Sequence, residues 1–262
     1  MALLNSFNSG VNGIKTFSKS LEVIGDNIAN VNSTGFKTSR VTNQDSFVET
    51  MRAPTAANGN VGGLNGMQVG MGSSVSSISQ KFTQGALTTT AGPTDLGISG
   101  QGFFKITDAA NNTFYTRAGD FRVDELGTLR TNSGMLVVGA NAAAFSGAEA
   151  FSFSKDGTIN IYKAGSPTPV TGGKLDLITF ANPNGLKREG ANLFSNIGLA
   201  AGAEDSGSTI KGDIIQGTLE LSNVDLTQEF SDLIVAQRAF QANSRVITVS
   251  DSVMEEVVNL KR

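Results

Sequence analysis

The 262-residue chain contains no cysteine and no histidine. Without thiols there are no disulfides, thiolate metal sites or cysteine nucleophiles, and without imidazole the usual general base and the commonest transition-metal ligand are missing. Most hydrolase and metalloenzyme chemistry falls away with them. Charged residues are scarce, 16% against roughly 25% in an average domain, and a net charge of -3 with scattered Lys and Arg leaves no basic footprint for a polynucleotide. No apolar run approaches the roughly 20 residues of a bilayer span, so neither a nucleic-acid partner nor membrane insertion is expected. The opening Met-Ala-Leu-Leu-Asn-Ser-Phe has no basic region and no continuous apolar segment, and so does not read as a cleaved secretory signal. Tryptophan is absent and there are two tyrosines, which leaves 16 phenylalanines and the aliphatics to fill any core. What is plentiful is glycine, with 31 residues, the mark of many turns around short strands.

The five prolines, Pro54, Pro93, Pro167, Pro169 and Pro183, leave both ends of the chain free to be helical. Near the start Leu3, Phe7, Gly10, Ile14, Phe17, Leu21, Ile24, Ile28 and Val31 recur in alternating steps of four and three, a heptad seam that predicts a helix over about residues 3–30. It stops at Asn30-Val31-Asn32-Ser33-Thr34-Gly35, where Asn and Gly tolerate a left-handed cap. Near the end Leu226, Leu233, Phe240, Ile247 and Met254 repeat every seven residues, with Phe230, Ala236, Val246, Val253, Val257 and Leu260 widening the face. Asp225 and Gln228 predict a capping box at the start of this second helix. These apolar rows are wider than a two-helix contact needs, and Gly10, Gly13 and Gly25 each weaken an isolated helix by about 1 kcal/mol. A surface that covers more than one neighbour suits them better than a closed hairpin.

Between the helices the period changes to two. Residues 102–106, 113–116, 121–123, 128–130, 135–138, 151–153, 158–162 and 174–180 read as short strands, with Asn111-Asn112, Glu125-Leu126-Gly127 and Asp156-Gly157 as hairpin turns. Residues 52–80, rich in Ala, Asn, Gly and Ser, read as an extended low-complexity arm. The fold class is therefore α+β: two long terminal helices forming a coiled-coil domain (1–32 with 224–262), an extended arm (33–90) and an inserted, mainly antiparallel β domain (91–223).

No catalytic arrangement emerges. Gly97-Ile98-Ser99-Gly100-Gln101-Gly102 leads into an aromatic strand rather than a helix, which makes these turn glycines and not a phosphate cradle. Asp120, Asp124, Glu125, Asp205 and Asp213 could supply an acid and a base, but nothing singles out a pair. No Ser-x-x-Lys with companion motifs is present. The expectation is a protein that is not an enzyme, with no cofactor and no metal.

Several segments do resemble one family. Leu21 to Lys37, with Asn27, Ala29, Asn30, Thr34, Gly35, Phe36 and Lys37, resembles the N-terminal signature of bacterial flagellar rod and hook axial proteins. Asp95 to Phe104, Tyr115 to Phe121 and Asp124 to Leu129 resemble the shared core-domain motif, and Leu219 to Leu226 with Asn223, running into Gln237-Arg238-Ala239-Phe240, resembles the C-terminal signature. Within the family the run Asn223 to Phe230, the segment Ile234 to Arg238 and the ending Val258 to Arg262 look more like hook subunits, while the chain length and the arm at residues 50–72 suit distal-rod subunits, the alternative, as well. The resemblance implies a structural subunit exported unfolded through the flagellar type III apparatus. It would then polymerise with itself into a helical tube, the hook acting as a universal joint between motor and filament. The terminal helices would form the inner layer, with Leu3, Phe7, Ile14, Phe17, Leu21, Ile24, Ile28, Val31, Leu226, Phe230, Leu233, Phe240, Ile247, Met254 and Val257 as its seams. The expected partners are further copies, the distal rod, the hook cap, the hook-filament junction proteins and the export apparatus. The expected location is the extracellular hook, or the periplasmic basal body for a rod subunit. Related chains often carry Phe at the position of Asn43 before an acidic residue; here Phe47 and Met51 form the nearest Phe-x-x-x-apolar pattern and are the candidate export signal.

Overall fold

A computed structural model describes residues 2–56, 62–140, 145–163, 169–197, 200–205 and 212–260, with side chains from Asn5 onward. The chain divides into two units. One comprises Met1–Ile28, Ser39–Ser79 and Asp225–Arg262, the other Ala29–Thr38 and Gln80–Val224.

The first unit is built on two helices, α1 (Ala2–Ala29) and α2 (Leu226–Asn259). Their 28 and 34 residues at 1.5 Å per residue make them long for a small domain. Asp225 caps α2 by accepting from Thr227 N (2.9 Å) and Gln228 N (3.4 Å). The reciprocal half of the expected capping box is missing, because the Gln228 amide turns forward to Asp232 Oδ1 (3.0 Å). The helices run antiparallel. Gly10 lies against Ile247 and Gly13 against Asn243, while Asn27 Nδ2 donates to Glu229 Oε1 (3.1 Å). A Cβ at Gly13 would sit 2.8 Å from Asn243 Oδ1. Two of the glycines that weaken α1 as an isolated helix, Gly10 and Gly13, are thus points where α2 packs closely, a role the seam pattern did not reveal, whereas Gly25 has no neighbour within 4 Å.

The arm is more ordered than its composition suggests. Strands Ser39–Asp45 and Ser73–Gln80 pair, and beyond them Val48–Arg52 pairs antiparallel with Met67–Gly70, followed by a bridge between Thr55 and Leu64. Every residue of the outer pair is exposed on both faces, so no buried face imposes the period-two alternation that announces a strand. A polar row on α1 holds this ribbon. Asn12 donates to Met71 O (3.0 Å), Thr16 to Ser73 O (3.2 Å) and Asn5 to Glu49 Oε2 (3.2 Å). Asn27 exchanges two 2.9 Å bonds with the Ser39 backbone.

The second unit is antiparallel β. Its largest sheet orders the strands Lys187–Gly190, Leu193–Ser195, Thr113–Thr116, Phe103–Thr107, Leu136–Val137, Leu129–Thr131 and Phe121–Val123, with Leu177–Ile178 also paired to Phe103–Thr107. A three-stranded sheet follows (Ala148–Phe153, Thr158–Lys163, Val170–Lys174). Two further pairs close the unit, Asp213–Gln216 on Leu96–Ser99 and Thr218–Glu220 on Leu87–Thr89. Strand Phe103–Thr107 alternates between two cores: Phe104 and Ile106 join Leu96, Ile98, Phe121, Leu129, Ile159 and Ile214, whereas Phe103 joins Tyr115, Phe180 and Phe194. The expected turn glycines adopt positive φ at Gly100 (119°), Gly127 (72°) and Gly157 (83°), as does Asn111 (64°).

Candidate functional site

Three of the recognised signature segments meet inside the β unit. Gly35 turns the chain at φ 67°, where a Cβ would fall 2.5 Å from Ala118 N, so the backbone passes closely by the strand end at residues 116–118. Phe36 and Lys37 follow it into the interior. Phe36 lies under the Arg188 guanidinium, 4.9 Å from ring to cation. Lys37 Nζ reaches Glu220 Oε1 at 2.6 Å with both side chains fully buried, and also donates to Thr83 O (2.8 Å). Arg117 NH1 lies 3.2 Å from each Glu220 oxygen, and its NH2 donates to Gly100 O (2.7 Å). Gly85 N adds a further donor to Glu220 Oε1 (2.9 Å). One carboxylate therefore serves two buried cations. Burial pulls the Lys37 ammonium below its ordinary value; Glu220 opposes that effect and Arg117 adds to it.

Asn223 works beside this cluster. Its Oδ1 accepts from Thr38 N (2.8 Å) and Thr38 Oγ1 (2.7 Å), and its Nδ2 donates to Lys81 O (2.8 Å) and Thr83 O (3.1 Å). Thr34 O accepts from Asn192 Nδ2 (2.8 Å), and Asn30 accepts from both the backbone and the hydroxyl of Ser33. Segments 30–38, 81–85, 117 and 220–223 are thereby stitched together. Lys37 and Asn223 were legible as signature residues. Arg117 and Glu220 stood inside quoted motifs without being singled out, and only the mutual need of buried opposite charges could have paired residues 103 positions apart.

The other expected positions lie elsewhere. Ala29 is exposed at the end of α1, Val31 is half-buried in the β unit, and Gln237 and Arg238 are exposed on α2, where Arg238 donates to Gln241 (3.3 Å). Phe47 and Met51 are exposed on the ribbon, Phe47 at 84%. Among the helix seam residues Phe7, Ile14, Phe17, Leu21, Ile24, Ile28, Leu233, Phe240, Ile247 and Met254 are half-buried, and Leu226, Phe230 and Val257 are exposed. The side chain of Leu3, and Lys261 and Arg262 of the C-terminal ending, lie outside the described residues. The positions the two helices bury are small or polar: Gly10, Gly13, Thr16, Asn27, Ala236 and Ser250. The large apolar side chains that a single copy leaves exposed on its helices belong to α2, Val235, Val246, Val249 and Val257 among them.

Among the described residues no group of three or more carboxylates could hold a metal ion, and no helix is long and apolar enough to cross a membrane. Residues 7–37 match the family described as Flagella basal body rod protein, residues 97–161 the Flagellar hook protein FlgE/F/G D1 domain, and residues 215–260 the Flagellar basal body rod FlgEFG protein C-terminal. The flagellar basal-body rod protein FlgG of Bacillus subtilis is 44% identical over 266 residues, covering 99% of this chain and all of that protein. The chain belongs to the FlgE/F/G family of flagellar rod and hook proteins. The FlgG protein of Caulobacter vibrioides is 33% identical over 98% of this chain and all of its own length. The hook protein FlgE of Treponema pallidum is 45% identical over 138 residues, but these make up 52% of this chain and 30% of the hook protein. Members of the family are structural components of the flagellar rod and hook, not enzymes, and they polymerise into axial structures. The resemblance at both chain ends and in the core motif thus holds at family level, whereas its leaning toward hook subunits runs against the full-length similarity to proteins named FlgG.

Proposed function

We propose that this chain is the subunit of the distal rod, the part of the flagellar drive shaft nearest the hook. The observation that carries this reading is the extent of the match: end-to-end similarity to basal-body rod proteins named FlgG, set against similarity to a hook protein over less than a third of that protein's length. The hook reading rests on the 45% identity within that shorter segment and on the sequence around residues 223–230.

In the rod reading the segments 1–28 and 225–262 form the inner layer of a tube, residues 39–79 the connecting arm, and residues 29–38 with 80–224 the outer layer. An open helical tube needs contacts in which one surface meets a different one on the next copy. The exposed apolar face of α2 and the half-buried apolar row of α1 are two unlike surfaces of that kind. The subunit leaves the cell through the type III export apparatus, with Phe47 and Met51 as part of the export signal, and its partners are further copies and the axial proteins that adjoin each end. It works in the periplasmic basal body. Complementation tests this assignment: expression in a motile relative lacking its distal-rod subunit restores swimming, and expression in one lacking its hook subunit does not. The reverse pattern would overturn the rod reading in favour of the hook.

A further inference from the structure

A recess of about 220 Å³ opens on the β unit between Thr113, Tyr115, Ser195, Asn196, Ile197 and Glu204. Apart from the Thr113 hydroxyl, which can donate or accept, its polar side chains offer acceptors. Asn196 donates through Nδ2 to Gly202 O (2.9 Å), while its Oδ1 is buried and has no hydrogen-bond partner. The Tyr115 hydroxyl gives its proton to Glu204 Oε1 and so offers the recess only lone pairs. Ser195 Oγ donates to Glu189 Oε1 (2.8 Å) and is likewise left as an acceptor. Glu204 also receives Lys105 Nζ on Oε2 at 2.7 Å. Burial alone would raise the Glu204 carboxyl, but the hydrogen bonds from Lys105 and Tyr115 outweigh it and hold the group below its ordinary value. At the edge stands Ile197, an aliphatic side chain 66% exposed.

A buried acceptor with no donor is a standing cost that folded proteins rarely carry without a reason. The group that matches this lining has several N–H donors and no acceptor, which describes an alkylammonium ion. Its methylene stem needs an apolar surface at the mouth, which Ile197 supplies. We propose that the recess receives the ammonium group of a lysine side chain from a second copy of this chain. Asn196 Oδ1, Tyr115 Oη and Glu204 would accept its three protons, and Ile197 would lie along its stem. The choice of a second copy rests on the family's polymerisation into axial structures and is independent of whether the tube is rod or hook.

The test begins with the full-length monomer in solution. Titration with n-butylammonium should give saturable amide shifts confined to residues 113–115, 195–197 and 204. Tetramethylammonium carries the charge without N–H donors and should bind at least tenfold more weakly. Asn196→Leu removes the orphan acceptor, while Glu204→Gln keeps an acceptor for Tyr115 but loses the charge. Each should weaken n-butylammonium at least tenfold while the rest of the spectrum stays in place. Absence of saturation, equal response to the two cations, or wild-type binding by both variants would overturn the site. Tubes grown from a mixture of light and heavy-isotope copies, treated with a carbodiimide that condenses a carboxylate with an amine by loss of water, identify the occupant. A mixed-isotope peptide joining Glu204 to a lysine is the expected product. Tubes that form normally and yield only same-copy Lys105–Glu204 links would overturn the second-copy assignment and leave the family reading untouched.

Discussion

Replacing Glu220 with Gln removes the negative charge that both Lys37 and Arg117 contact in the interior of the β unit. Breaking a buried ion pair from one side costs about 3–5 kcal/mol, because the remaining charge stays desolvated and unpaired. Here two cations are stranded, yet the Gln oxygen still accepts from Lys37 Nζ and Gly85 N, so the lower end of that range, about 3 kcal/mol, is expected. A typical domain is stable by about 5–15 kcal/mol, and with a urea slope of about 1–3 kcal/mol per molar the midpoint should fall by about 1–3 M. The sequence supplies the assay. There is no tryptophan, and both tyrosines, Tyr115 and Tyr162, lie in the β unit, so tyrosine emission reads that unit alone. Lys37→Met should cost less, since Glu220 and Arg117 remain as a one-to-one pair. Its pH dependence carries a sign. The folded-state pKa of Lys37 lies below the ordinary 10.5, so between those two values the unfolded chain holds more protons and stability rises with pH. The wild type should therefore gain on Lys37→Met through that window. A Glu220→Gln midpoint within about 0.3 M of wild type, under 1 kcal/mol at such slopes, would refute the idea that the triad holds the unit together.

Gly13→Leu places a side chain where even a Cβ would lie 2.8 Å from Asn243 Oδ1; overpacking of this kind costs about 1–3 kcal/mol and should lower the thermal midpoint followed at 222 nm. Glu229 is raised above the usual carboxylate value mainly by burial, with Asp232 and Asp225 adding and Asn27 opposing. Its contribution to stability is present below the unfolded-state pKa and lost as pH rises through the folded value. Glu229→Gln keeps the acceptor for Asn27 and should therefore raise the helical unit's thermal midpoint at pH 7, with the gain over wild type vanishing near pH 4; a gain constant across that range would contradict this. Replacing both Phe47 and Met51 with Ala should reduce secretion several-fold in an export assay while purified protein still polymerises, and unchanged secretion would remove these residues from the export signal.

What could be read from the sequence follows from periodicity. The heptad rows placed α1 and α2 within a residue or two of where they stand, since long amphipathic repeats are the strongest local signal. Thr158–Lys163, whose side chains alternate between a core and an outer face, and Phe103–Thr107, whose two faces enter different cores, were equally legible. The ribbon strands at residues 39–52 and 67–80 were not, because a two-stranded ladder with no core of its own has no reason to alternate. Nor were the closing strands Asp213–Gln216 and Thr218–Glu220, four and three residues long, whose partners lie more than a hundred residues earlier. The signature residues were recognised, but the meeting of Lys37, Arg117, Glu220 and Asn223 is a product of topology and carries no local pattern.

Electron microscopy of the purified full-length chain, concentrated in ammonium sulfate, tests the central claim most directly when set beside a variant carrying Val249→Asp and Val257→Asp on the uncovered row of α2. Both valines are more than half exposed in a single copy, so the variant should fold as the wild type does by circular dichroism. The account predicts straight tubes from the wild type and none from the variant. Curved tubes would contradict the rod assignment, and tubes from both proteins would contradict the claim that the exposed helix row is an assembly surface.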